Sequence, residues 1–249
     1  MKYTNPSKNK VGAIIQARMG STRLPGKVLK KLRDKTLLEI LLKRVKKAKL
    51  VDEIIVATTS SDRDKPIVEI AKKMDVSFFC GSEENVLERF FHAAKERELD
   101  TIVRITSDCP FTDPLLIDKH IQLFREHPGA EYVSNTLQRR FPRGFDIEIF
   151  SYSALYRAHL NAGQDFEKEH VTPYIIENFK AVNFQYGEDH SEFRVTVDTP
   201  EDLKLVNELF EIFNGRTDFS FTEVIEILKE RDDLVALNAK VQQKEIMAP

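Results

Sequence analysis

Three cations, Arg18, Arg23 and Lys27, fall within the single stretch QARMGSTRLPGK. They follow the apolar, β-branched run at residues 11–15, the pattern of a strand buried on both faces. Gly20 and Gly26 let the backbone approach a ligand closely, and Pro25 stiffens the turn. Cations on a loop that leaves a buried strand suit a polyphosphate, because guanidinium groups grip phosphate oxygens in pairs. The spacing excludes a P-loop. Five residues separate the glycines where that motif has four, and Val28 stands where it needs a hydroxyl to hold magnesium. A basic surface loop is the other reading of the same residues.

Two aspartates raise a second possibility. Asp108 ends the apolar run at 100–108, and Asp198 ends the run at 193–198. Helix-start signals follow each, Asp113-Pro114 and Thr199-Pro200-Glu201-Asp202, which makes Asp113 and Thr199 expected caps. Neither signal accounts for Asp108 or Asp198. If both strands belong to one sheet, the two carboxylates converge at its ligand-bearing edge, and magnesium takes such carboxylates together with substrate phosphates. Two local turn aspartates are the plainer alternative. Arg104 lies inside an apolar strand and must reach a ligand or an acidic partner. The segment FPRGFDIEIF offers Arg143 for an anionic group and Asp146 and Glu148 for hydroxyls, or else forms an amphipathic edge strand.

The elements that position these residues follow from periodicity. Strands at 11–15, 52–60, 76–81 and 100–108 alternate with helices at about 36–49, 63–74 and 85–98. This rhythm predicts a mainly parallel sheet with helices on both faces and ligands at the carboxyl ends of the strands. It breaks after about residue 130. Strands are expected within 130–135 and 144–151, one or two helices within 166–179, a last strand at 193–198 and a charged helical tail at about 219–246.

Composition narrows the class. No apolar stretch approaches the ~20 residues that span a bilayer, and the polar start MKYTNPSKNK is unlike a signal peptide. Cys80 and Cys109 lack a C-x-x-C spacing, so a cytoplasmic protein with reduced thiols is expected. The net charge of −2 hides an asymmetry: residues 1–50 hold 15 Lys and Arg against Asp34 and Glu39, and the remainder is acidic. The lysines of LLKRVKKAKL, among leucines at helical spacing, read as a solvated helix face. A nucleic-acid-binding module would use the same basic region, yet it has no aromatic stacking platform or recognition motif.

QARMGSTRLPGK resembles the signature loop of the sugar-activating cytidylyltransferases, the family of CMP-Kdo and CMP-sialic acid synthetases. RITSDCP and VDTPEDL are similar to that family's two metal-binding aspartate motifs, and PRGFDIEIFS and EHVTPYI resemble the spore coat polysaccharide biosynthesis type. The resemblance runs over about residues 11–240. It implies one domain over residues 1–249 with the nucleotide-diphospho-sugar transferase fold, a three-layer α/β/α sandwich around a mainly parallel mixed sheet. Residues 131–180 would supply a dimerisation and acceptor-binding insertion.

Carried over by position, the resemblance implies that Arg18, Arg23 and Lys27 hold the phosphates of CTP, with Gln16, Ala17, Gly20, Ser21 and Thr22 around them. Asp108 and Asp198 would bind Mg2+. Thr58, Ser82 and Arg104 would touch the nucleotide, although Thr58 and Ser82 serve equally well as turn or capping residues. His170 would contact the acceptor or lie on a helix surface. The implied reaction is attack of a hydroxyl or phosphate oxygen of a sugar, sugar acid or related anion on the α-phosphorus of CTP, with loss of pyrophosphate. One departure stands out: CMP-Kdo synthetases carry an SGTDR-like segment where this chain has CGSEENVLERF, so the base or acceptor pocket differs in detail. A glycosyltransferase consuming a nucleotide sugar would share the fold, but the cations of the opening loop suit a triphosphate and a departing pyrophosphate.

Overall fold

The computed structural model describes residues 9–243, so most of the polar N-terminal run and residues 244–246 of the expected helical tail lie outside it. Strand β1 (Val11–Gln16) runs into the cation-rich loop, a 3-10 turn (Lys27–Leu29) and a small ribbon of β2 (Lys31–Leu32) and β3 (Lys35–Thr36). There follow α1 (Leu37–Val45), β4 (Glu53–Thr59), α2 (Lys65–Lys73), β5 (Ser77–Gly81), α3 (Val86–Glu96), β6 (Thr101–Thr106) and α4 (Pro114–Glu126). The second half holds β7 (Tyr132–Ser134), β8 (Glu148–Ser151), α5 (Tyr152–Asn161), α6 (Asp165–His170), α7 (Pro173–Asn178) and β9 (Ala181–Asn183). It closes with α8 (Pro200–Ile212), α9 (Phe221–Glu230) and α10 (Asp232–Val235).

Seven strands form one sheet in the order β5-β4-β1-β6-β8-β7-β9. The four on the β5 side are parallel, β8 runs antiparallel to both β6 and β7, and β9 is parallel to β7. Alternation along the strands splits the core in two. Ala13, Ile15, Val56, Val103 and Ile105 pack with α1, α2, α4, α8 and α9 on one face. Ile14, Ile55, Ala57 and Ile102 pack with α3, α5 and α7 on the other. The result is the expected three-layer α/β/α sandwich with a mainly parallel mixed sheet. No helix among the described residues is long and apolar enough to cross a membrane.

The helices begin where local chemistry starts them. Thr36 and Glu39 form a capping box on α1, Asn85 caps α3, and Asp113 and Thr199, each followed by proline, cap α4 and α8.

One expectation is corrected. Residues 193–198 do not form a strand; a lone bridge pairs Arg194 with Arg143. The amides of Val195 and Thr196 both donate to the Arg143 carbonyl (2.7 and 3.0 Å), whereas Val197 donates to the carbonyl of Asp108 (2.8 Å). With its donors divided between two segments, the stretch cannot propagate a ladder. Gly144, at φ 111°, makes the crossing possible, since a Cβ there would stand 2.6 Å from the Thr196 nitrogen.

Arg44, among the lysines of LLKRVKKAKL, is buried. It donates to the carbonyls of Thr112 (3.0 Å), Phe111 (3.1 Å), Thr217 (3.0 Å) and Phe219 (2.9 Å) and stacks on the Phe219 ring. Burial lowers its pKa to about 10, leaving it cationic at neutral pH. One side chain of α1 thus ties the loop after β6 to the chain before α9. Arg44→Met should cost about 3 kcal/mol, because it strips buried carbonyls of their donor as well as removing the stacked guanidinium. Urea unfolding measures this, and a loss under about 1 kcal/mol would show that the carbonyls find other partners.

Candidate active site

The carboxyl ends of β1 and β6 open into a cleft of about 390 Å³. Its floor is the loop after β1, which is closed on itself. The Gly26 amide donates to the Met19 carbonyl (3.1 Å), and the Met19 amide donates to the buried carboxylate of Asp64 (2.7 Å). Gly26 adopts a left-handed φ of 65° and starts the 3-10 turn that carries Lys27.

Lys27 is the centre of the arrangement. Its ammonium lies 2.7 Å from Asp108 Oδ2 and 2.8 Å from Asp198 Oδ1. The two carboxylates therefore share one cation, although only β6, and not residues 193–198, is a strand. Asp108 also accepts from the Thr106 hydroxyl (2.5 Å) and the Cys109 thiol (3.5 Å). Burial would raise its pKa, but the charge and hydrogen bond of Lys27, with those two donors, bring it down to about 2. Burial likewise opposes the charge on Lys27, and the two aspartates outweigh it, so its pKa is raised. Asp198 takes two further cations, Arg23 (3.0 Å) and Arg194 (2.8 Å). Arg194 is held in turn by Asp202 through Nε (2.8 Å) and Nη2 (3.1 Å).

Most of the residues singled out from the sequence line this cleft: Gln16, Ala17, Arg18, Gly20, Ser21, Thr22, Arg23, Lys27, Arg104, Asp108, Arg143, Asp146, His170 and Asp198. Asp146 is engaged by a two-pronged pair with Arg139 (2.6 and 3.0 Å). Three residues do not line it. Glu148 is buried beneath the cleft, where it pairs with Arg104 and accepts from Tyr132 (2.6 Å) and Thr172 (2.7 Å), so its oxygens serve the protein and not a substrate hydroxyl. Its ion pair, with the Gln16 side chain at 3.1 Å from Arg104 Nε, is the acidic partner that Arg104 required. Thr58 is buried within β4, and Ser82 accepts from the Asn85 amide (3.0 Å) in the turn before α3. The turn reading is therefore the one that describes Ser82.

Two residues of the site escaped the sequence reading, Arg89, which lines the cleft, and Arg194, which braces Asp198. Arg194 hides in an apolar alternation, its one signal being Asp198 four positions on. Arg89 lies one turn into α3, within CGSEENVLERF, and reads there as a polar helix position. With Arg89 in view, the lining holds six cations, Arg18, Arg23, Lys27, Arg89, Arg104 and Arg143, against the carboxylates of Asp108, Asp146, Glu169 and Asp198. The excess is positive, which suits a polyanion.

The Asp108–Asp198 pair also offers hard oxygen ligands around a cation-sized position that an ammonium now fills, which fits Mg2+ or a similar ion. Among the described residues no third acidic, histidine or cysteine side chain joins them, so a ligand's oxygens would complete such a shell.

Comparison with known proteins agrees with this chemistry. A family model described as cytidylyltransferase matches residues 12–246. A protein of Methanocaldococcus jannaschii is 41% identical over 94% of this chain and 97% of its own length. The spore coat polysaccharide biosynthesis protein SpsF of Bacillus subtilis is 35% identical over 90% of this chain and 96% of its own. The solved structure of a cytidylyltransferase from Leptospira borgpetersenii superposes with a TM-score of 0.89 at 38% identity, over 96% of this chain and 100% of that one. Because the match spans every segment that reaches the cleft, from the loop after β1 to Asp198 and beyond, this chain belongs to the cytidylyltransferase family and has its nucleotide-diphospho-sugar transferase fold.

Proposed function

We propose that the protein is a magnesium-dependent enzyme that transfers CMP from CTP to a sugar, sugar acid or related anionic acceptor, releasing pyrophosphate, for surface polysaccharide synthesis in the cytoplasm. The observation that carries this reading is the Lys27 ammonium held between Asp108 and Asp198, beside a preformed loop bearing Arg18 and Arg23. Kinship with a spore coat polysaccharide biosynthesis protein supports the polysaccharide role.

In this reading Arg18, Arg23 and Lys27 grip the triphosphate and fix the α-phosphorus in line with the acceptor. An acceptor oxygen forms the new bond to that phosphorus. The electron pair of the broken bond leaves on the bridging oxygen of pyrophosphate, and the proton of a hydroxyl acceptor passes to water. Asp108 and Asp198 would hold Mg2+, which supplies charge neutralisation at the phosphate oxygens. Arg143 and His170, which also line the cleft, would orient the acceptor. A homodimer formed through residues 131–180 belongs to the same proposal, and the exposed Tyr156, Leu160 and Ile176 in that stretch support it.

Pyrophosphate release from each of the four nucleoside triphosphates, against a panel of sugar acids and sugar phosphates, tests the proposal. CTP should be turned over fastest with one acceptor class, and nucleotide diphosphate as product from a nucleotide sugar would identify a glycosyltransferase instead. Asp198→Asn should keep the fold and lower turnover at least about a hundredfold, since an amide cannot supply the charge that holds the ion. Chelation of divalent ions should silence the unmutated enzyme; full turnover in a chelator would remove the metal from the mechanism.

Arg23 and Lys27 should separate binding from stability. Arg23 is a third exposed, so Arg23→Ala should weaken CTP binding about tenfold without moving the melting temperature. Lys27→Met should weaken binding and also destabilise the protein by about 2 kcal/mol, because it leaves two partly buried carboxylates facing each other. Calorimetric titration and thermal melting of both variants provide the check. CTP affinity unchanged in both would exclude the loop as the phosphate site.

A further inference from the structure

The C-terminal segment reaches the cleft beside Asp198, and Gln243 is among the residues that line it. The segment is tied down by Asn238, which is 5% exposed. Its amide donates to the Arg194 carbonyl (3.0 Å) and to Asp202 Oδ1 (2.8 Å). A turn follows, closed by the Val241 amide on the Asn238 carbonyl (2.9 Å). The turn brings the next two residues onto two arginines. Arg23 Nη1 donates to the Gln242 carbonyl (3.4 Å), and Arg194 Nη1 donates to Gln243 Oε1 (2.6 Å). Apolar packing is incomplete here, since a cavity of about 170 Å³ is lined by Leu205, Leu228, Val235 and Val241. The polar ties at the two ends of the segment therefore fix its course.

Both arginines also hold Asp198, and they hold the same oxygen. Arg23 Nη2 lies 3.0 Å and Arg194 Nη2 2.8 Å from Asp198 Oδ2. That leaves Oδ1 to Lys27 (2.8 Å), and in the reading above Oδ1 is the oxygen presented to Mg2+. The two clamps are unequal. Arg23 is a third exposed and its contact with Gln242 is long, so an arriving triphosphate would draw it away at little cost. Arg194 is then the clamp that remains. Its Nε and Nη2 are committed to Asp202 and Asp198, and its Nη1 goes to Gln243. Without that acceptor, Nη1 would be a largely buried donor close to a polyphosphate, and the guanidinium would be pulled toward the stronger acceptor. A carboxamide suits the position. Its oxygen accepts the bond without a charge, so it neither competes with Asp198 for the arginine nor repels the phosphates.

We propose that Gln243 is a positioning residue for the transfer: by completing Arg194 it keeps that guanidinium on Asp198 Oδ2 and leaves Oδ1 directed at the metal position, which makes the C-terminal segment part of the active site. This rests on the reading above, in which Asp108 and Asp198 hold Mg2+ beside the triphosphate.

The test titrates CTP calorimetrically into the wild-type protein and Gln243→Ala, once with Mg2+ and once in a chelator, with thermal melting of both. Gln243 is exposed, so the variant should melt with the wild type. In the chelator it should bind CTP within about twofold of the wild type, whereas with Mg2+ it should lose about fivefold or more. Saturating CTP should not restore its kcat. A merely structural role, or a direct phosphate contact, would lower both affinities alike and overturn the proposal. Arg194→Lys supplies the second arm, since a lysine keeps a charge on Asp202 but has no second corner to reach Gln243. Adding Gln243→Ala to it should cost less than about twofold further, and losses that simply multiply would show that Gln243 does not act through Arg194. A wild-type protein whose CTP affinity and turnover ignore Mg2+ overturns the metal reading together with this one. A wild-type gain from Mg2+ that Gln243→Ala keeps in full overturns this one alone.

Discussion

A lysine ammonium clasped between two carboxylates from distant parts of the chain is the constraint around which this protein is arranged. Lys27, Asp108 and Asp198 are each largely shielded, at 13, 23 and 13% side-chain exposure. Charges so placed must be matched within the protein or by a ligand. The match brings together the loop after β1, the turn after β6 and the segment before α8. None of these is adjacent to another in sequence. Asp198 is fixed further by Arg194, which Asp202 and the carbonyl-bound Asn238 hold from behind. The carboxylates are thus positioned by a layered set of partners before any substrate arrives, and geometry fixed in advance is what electrostatic catalysis requires.

Backbone irregularity serves the same end. A regular strand at 193–198 would extend the sheet and direct its side chains alternately to the two faces. Instead the segment crosses Gly144, divides its amide donors between Arg143 and Asp108, and delivers Asp198 beside the β6 turn. Val171, directly after the cleft residue His170, is a buried β-branched residue at φ 71°. Such a conformation persists only where its surroundings hold it, and here the core that α3, α5 and α7 share encloses it. Arg44 does the corresponding work at longer range, securing the chain on either side of the α4 face through four carbonyls.

The parts of this architecture legible in the sequence were those governed by local rules. The first four long strands and the helices between them follow from periodicity, and the caps Asp113 and Thr199 from residue type and the proline beside each. Asp108 and Asp198 stood out because no cap explained them. What the sequence concealed depends on contacts between distant segments. The alternation of Phe193, Val195 and Val197 is the same for a strand as for an extended segment without a ladder, because both bury every second residue. Arg44 and Arg89 look like the polar side of amphipathic helices. Only the tertiary structure shows that the first is surrounded by carbonyls and the second turned into a cleft. Glu148 erred in the other direction: beside Asp146 it read as a second substrate-facing acid, yet β8 places it inward against Arg104 and Tyr132.

The charge asymmetry of the chain follows from the same physics. The basic first fifth supplies Arg18, Arg23 and Lys27, which would repel one another on a short loop if nothing balanced them. Carboxylates from the acidic remainder balance all three, Lys27 through Asp108 and Asp198, Arg23 through Asp198 and Arg18, at a longer 3.8 Å, through Glu169. In the proposed reaction an incoming triphosphate would compete with these internal partners, so the free energy of binding would be the difference between two sets of ion pairs, not the strength of one. Such an exchange would keep ground-state binding modest while leaving the cations in place where charge develops during the proposed transfer. A loop with no aspartates opposite it would hold its substrate more tightly and do less with it.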